Sequence, residues 1–165
     1  MPVRILHRTK SLAVASSKPL LIAAWTGAPV DSADVSACIV SLLAEARRIE
    51  RAALLVIVHP STPLPSEEAR ATIQSEVRRL YPHLTCGATV IERGGFAGSA
   101  HRAVVSTLQL LSRTPHPEKT AASAQEAGAF LVAELTRAGV APLKIEDVID
   151  AFEQVKREVW LPVAS

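Results

Sequence analysis

Aromatic side chains are scarce in this chain: two Trp, one Tyr and three Phe make up 4% of 165 residues. So sparse a set argues against a stacking platform for single-stranded nucleic acid, which needs ring after ring along a groove. An excess of one charge is lacking too. Eighteen Lys and Arg stand against sixteen Asp and Glu, for a net charge of +2. The cations are spread along the chain, so the clustered basic footprint of a nucleic-acid binder is missing. Only two cysteines occur, Cys38 and Cys86, and no Cys/His spacing resembles a zinc site. Both fall in apolar patterns and read as small buried hydrophobes, reduced in a cytoplasmic protein. No apolar run approaches the roughly 20 residues of a membrane-spanning helix. The opening Met1-Pro-Val-Arg-Ile-Leu-His-Arg lacks a signal-peptide core. No cofactor, metal, membrane or nucleic-acid partner is therefore expected.

What the chain does have is apolar content, 48% against 21% charged residues, which marks a globular protein of one main domain. The organising stretch is Ala52-Ala53-Leu54-Leu55-Val56-Ile57-Val58, followed by His59-Pro60-Ser61-Thr62-Pro63-Leu64-Pro65. A short apolar run without alternation reads as a strand buried on both faces, as in a parallel sheet. Pro60 ends it, because proline cannot donate to a ladder.

Before this strand, Val3–His7 and Leu12–Ser16 read as a hairpin around Arg8-Thr9-Lys10, and Leu20–Trp25 as a third strand. Asp31 or Ser32 caps a helix whose apolar face is Val35, Cys38, Ile39, Leu42, Leu43, Ala46 and Ile49. After it, Pro65-Ser66-Glu67-Glu68 opens a helix with Pro in its first turn and Ala69, Ile73, Val77 and Leu80 inward. Leu84–Ile91 is a strand, and a further helix carries Ala100, Val104, Leu108 and Leu111. Arg113-Thr114-Pro115-His116-Pro117 is a rigid connector, and Lys119–Ala122 a short edge strand. Ser123 and Glu126 form a capping box for a helix burying Ala127, Phe130, Leu131 and Leu135, which stops at Gly139. A last helix follows.

The expected fold is thus α/β, a mixed and mostly parallel sheet of about four to six strands flanked by helices. Residues 1–137 make the domain, and 138–165 a C-terminal helical extension packed on it or on a partner.

Three places could carry function. His59, Ser61 and Thr62 stand at the carboxyl end of the central strand, where α/β sheets gather ligands and regulatory groups. A nucleophile there would need an orienting third group and an oxyanion hole, and no Gly-x-Ser-x-Gly elbow is present. A phosphorylated or plain polar loop between prolines fits better, and no catalytic residue is assigned. Arg93, Gly94, Gly95, Gly98, Ser99, His101 and Arg102 form a Gly-rich turn between strand and helix that could hold an anion or nucleotide. The Walker lysine is absent, since Ser99 follows the last Gly, and the dinucleotide spacing fails. The same glycines could serve only a tight turn. Ile145, Val148, Phe152 and Val155, with Trp160 beyond them, give the last helix an apolar face. It must bury on its own domain or on a neighbour, in the latter case building an oligomer.

In this order of elements the chain resembles the bacterial STAS-like, or SpoIIAA-like, domains related to anti-sigma-factor antagonists. The resemblance rests on the buried strand at 52–58 with its polar loop and helix, the strand at 84–91, and Lys119-Thr-Ala-Ala-Ser-Ala-Gln-Glu-Ala-Gly-Ala-Phe-Leu, over residues 1–137. It implies a regulatory, non-enzymatic protein-binding module whose partner is another protein or a second copy of itself, as a homodimer. Phosphorylatable members carry an Asp-Ser-x-Gly-like loop; here His59-Pro60-Ser61-Thr62-Pro63 lacks both the Asp and the Gly.

Overall fold

An apolar run with no polar alternation needs cover on both faces, and the central strand has it. In the computed structural model, which describes residues 2–92, 102, 114–140 and 142–160, strand β4 (Ala52–Val58) lies inside a six-stranded sheet. Ala53, Leu55 and Ile57 enter one hydrophobic core, while Ala52, Leu54 and Val58 enter the other.

The strands follow chain order across the sheet: β1 (Arg4–Arg8), β2 (Leu12–Ser17), β3 (Leu20–Trp25), β4, β5 (Leu84–Ile91) and β6 (Glu118–Ala121). The first three pair antiparallel, and β3 to β6 pair parallel. This is the mostly parallel α/β sheet with an antiparallel edge that the sequence implies. Helices α1 (Ser32–Arg48) and α2 (Glu67–Val77) connect parallel neighbours in the same direction along the sheet. Right-handed crossovers then place both on one face. Helices α3 (Ala124–Arg137) and α4 (Ile145–Val159) cover the other.

Local chemistry fixes the helix ends. Asp31 caps α1, its carboxylate accepting from the Ala33 and Asp34 amides. Asp34, in turn, pins α1 to the first hairpin: the Ser11 hydroxyl donates to it at 2.6 Å, and this bond chiefly holds its carboxyl below the ordinary value. Helix α2 starts two residues later than expected, because the Ser66 hydroxyl accepts from the Ala69 amide and becomes the cap, leaving Pro65 outside. The inward face of α2 differs as well. Only Ala69 is fully buried on it; Ile73 and Val77 are partly buried, and Leu80 belongs to a following 3-10 turn, Arg78–His83. Ser123 caps α3 as expected, but the Glu126 carboxylate reaches the Ala122 amide instead of completing a reciprocal box. Gly139, at φ +72°, ends that helix.

Helix α4 settles where the apolar face of the C-terminal extension goes. Val148, Phe152 and Val155 are at most 1% exposed and share a core with Leu55, Ile57, Leu131 and Leu135 of the same chain. Ile145 stays partly exposed. The Val3 amide donates to Gln154 at 3.2 Å, and Arg8 donates to the Glu158 carbonyl, tying the helix to the first strand. Of the two places open to this face, Val148, Phe152 and Val155 take their own domain, where they cover Leu55 and Ile57 of the sheet. Both cysteines are free and buried, and burial pushes the Cys38 and Cys86 thiols up to about 11 and about 12. No helix among the described residues is long and apolar enough to cross a membrane.

Candidate functional site

The carboxyl ends of β3, β4 and β5 meet the end of α4 at one corner of the molecule, and the central residue there is His59. It follows the last strand residue, Val58, and precedes Pro60, which disfavours a helical backbone there. The Ser61 amide donates to His59 Nδ1 at 2.9 Å, which places the ring proton of the neutral form on Nε2. The Thr62 amide donates to the His59 carbonyl at 3.0 Å, closing the turn.

Three neighbours define the ring's position. Gly27, at φ +104°, passes so close that a Cβ there would lie 3.1 Å from His59 Nδ1. Trp160 meets the imidazole edge-on, with ring centroids 4.6 Å apart at 71°. The Trp160 indole N–H donates to the Trp25 carbonyl at the end of β3, 3.0 Å away. Lys156 lies over the Phe152 and Trp160 rings at 5.0 and 5.4 Å and reaches Glu92, just past β5, at 3.3 Å. Both tryptophans of the chain thus sit at this corner.

Burial holds the His59 imidazole below its ordinary pKa. A group whose folded pKa is depressed binds its proton more readily in the unfolded chain. Neutral His59 therefore contributes stability above the ordinary histidine value, lost as pH falls through the lowered folded value. The nearby charges are Lys156 and Glu92, already paired with each other. We expect the melting temperature of the native chain to fall between about pH 7 and about pH 5, with a change in tryptophan emission. His59→Gln should lose that segment of the pH profile and keep the steeper loss at lower pH, where Asp34 and Glu45, both held below the ordinary carboxylate range, protonate. Identical profiles for both proteins would remove His59 from the titration.

The corner's loop departs from the sequence expectation in one respect. Ser61, Pro63 and Leu64 are exposed, but Thr62 is fully buried and Pro65 buried beneath them. Thr62 is thereby closed to a modifying enzyme, while Ser61 is open. Trp160, which could pack on its own domain or on a partner, is half-buried against His59. Of the Gly-rich turn, Arg93, Gly94, Gly95, Gly98, Ser99 and His101 lie outside the described residues, as does most of the helix expected to carry Ala100, Val104, Leu108 and Leu111. Arg102 is helical and partly buried.

No protein-family model, no curated protein and no solved structure matches this chain. Its chemistry has to be read from the geometry. Among the described residues no group of three or more His, Cys, Asp or Glu could hold a metal ion.

A second polar group went unread in the sequence. His116, within the connector before β6, is buried, and its Nε2 lies 2.6 Å from the Glu118 carboxylate. Its ring stands edge-on to Tyr81 at 5.3 Å, and its Nδ1 is buried without a hydrogen-bond partner. The Glu118 side chain lies across Gly87 of β5, where a Cβ would come within 2.7 Å of a carboxylate oxygen. A glycine inside a strand marks such a close approach, and the prolines on either side of His116 fix its backbone. Those were the available signals. The pair sits at the amino-terminal end of the parallel strands, remote from His59 in the sheet register.

Proposed function

We propose that this chain is a non-enzymatic protein-interaction module, STAS-like in organisation, that docks a protein partner on the loop at 59–65. One observation carries the reading: the loop is rigid at its base and exposed at its tip. His59 and Thr62 close the turn, Pro65 is buried, and Ser66 caps α2. Above them Leu64 stands 46% exposed between two prolines, with Ser61 and Pro63 exposed beside it. A large apolar side chain held out in water by a stiff loop loses little conformational freedom on binding, which favours docking. Ser61 is also where a phosphoryl group would add charge ahead of α2, whose positive end accepts an anion. The order of strand, loop and helix on which the family resemblance rests supports the same reading.

A photo-crosslinker in place of Ser61, used on the full chain with Leu64 or with Leu64→Asp, tests it. A stoichiometric adduct is expected with Leu64, either to a second copy or to one partner, and at least a tenfold loss with Leu64→Asp. The melting temperature should hardly move, because exposed substitutions usually change stability by about 0.5 kcal/mol or less. Equal adducts from both proteins would place the partner surface elsewhere.

A further inference from the structure

Between α1, α2 and the sheet lies a cavity of about 150 Å³. Its origin is visible in the packing: α2 turns only Ala69 fully into the core, and β3 offers the small Ala23 opposite. The floor crosses five strands in register: Val14 pairs with Ala23, Ala23 with Val56, Val56 with Thr89, and Thr89 with Thr120. The first four of these line the cavity, together with Val35 and Leu42 of α1 and Ile73 and Val77 of α2. The row thus runs from hydrocarbon to hydroxyl.

Thr89 is only 6% exposed and lines this cavity. Next to it in the register, the Thr120 hydroxyl is buried and without a partner. A hydrogen bond contributes about 0.5–1.5 kcal/mol net, so a group that bonds to Thr89 from the cavity would be stabilised. Besides Thr89, the polar side chains on the described wall are Gln74, Tyr81, Thr114 and Glu118, and the rest of that wall is apolar. The one charged residue on the described wall is Glu118; no Lys or Arg lines the cavity there. An anion would find no counter-charge.

We propose that this cavity binds a small uncharged molecule of about benzene size, apolar except for one hydroxyl that pairs with Thr89. An apolar cavity of about the same volume in another protein holds benzene, so the size is adequate. The apolar body would sit against Val35, Leu42, Val56 and Ile73, and the hydroxyl at the Thr89 end of the floor. This site is independent of the loop at 59–65.

Phenol, benzene and benzoate are the probes, used on the full chain with melting temperature and amide chemical shifts as readouts. Phenol should raise the melting temperature most, benzene less, and benzoate not at all. Thr89→Val, close to isosteric, should weaken phenol about three- to tenfold, the worth of one hydrogen bond, and leave benzene unchanged. Ala23→Met, which fills the floor, should abolish both responses; should it fail to fold, Val56→Ile serves instead. The proposal is overturned if phenol and benzene leave the amides of Val56 and Thr89 unshifted near aqueous saturation. It is overturned equally if phenol binds Thr89→Val as tightly as the native chain, or if benzoate binds as well as phenol.

Discussion

Phe152→Asp is expected to unfold the chain, not to dissociate an assembly of folded copies. Phe152 is 1% exposed and lies in one core with the central strand. Truncating a buried Phe to Ala costs about 3–5 kcal/mol, and a domain of this kind has only about 5–15 kcal/mol in hand. An aspartate adds the cost of a buried, unpaired charge. The same reasoning applies to a chain ended after Gly139: it would leave Leu55, Ile57, Leu131 and Leu135 without the side chains that cover them. Far-ultraviolet circular dichroism and a urea titration check both statements. Phe152→Ala should keep the unfolding slope and lower the midpoint, while Phe152→Asp and the shortened chain should show no cooperative transition. A folded, monomeric Phe152→Asp beside an oligomeric native protein would restore assembly through this helix.

Gly27→Ala is the second large effect, acting on the corner itself. At φ +104° an L-residue is strained by about 1–3 kcal/mol wherever it sits. Here the new Cβ would also stand 3.1 Å from His59 Nδ1, closer than the ring tolerates without moving. His59 cannot yield freely, since Trp160 packs against it and its Nδ1 holds the Ser61 amide. The substitution should therefore lower the melting temperature and alter tryptophan emission in the folded state, because Trp160 borders the displaced ring. It should also weaken crosslinking at the loop by about the factor that the strain implies, roughly tenfold for each 1.4 kcal/mol that reaches the docking surface. Gly139→Ala, at φ +72° but with open space around it, is the control: strain alone, without a change in emission.

Much of this architecture can be read from local chemistry. The run at 52–58 shows its burial on both faces because it lacks alternation. The hairpin before it shows the antiparallel edge, and Asp31, Ser123 and Gly139 mark helix ends through side-chain or backbone preferences that act over a few residues. The corner is harder, because its parts are far apart in the chain: the Trp160 indole meets the Trp25 carbonyl across 135 residues. Lys156 and Glu92 carry no local signal that they pair. The burial of Thr62 beside an exposed Ser61 depends on which way a proline-bracketed turn faces the core, which no periodicity encodes. The apolar stripe of α4 is legible as a stripe, yet it reads the same whether its cover is the chain's own sheet or a neighbour's surface. The cavity under α1 and α2 is an absence of atoms, and only packing reveals it.

The order of the strands has a consequence for how the molecule is built during synthesis. Each strand lies beside the one made just before it, so the sheet can grow strand by strand as the chain emerges from the ribosome. The lid on one of its faces, however, is synthesised late: α4 and Trp160 fasten onto Val3, Arg8 and Trp25, which are made well over a hundred residues earlier. Until then Leu55 and Ile57 lack Phe152, and that interval is when a chaperone or a sticky neighbour would find them.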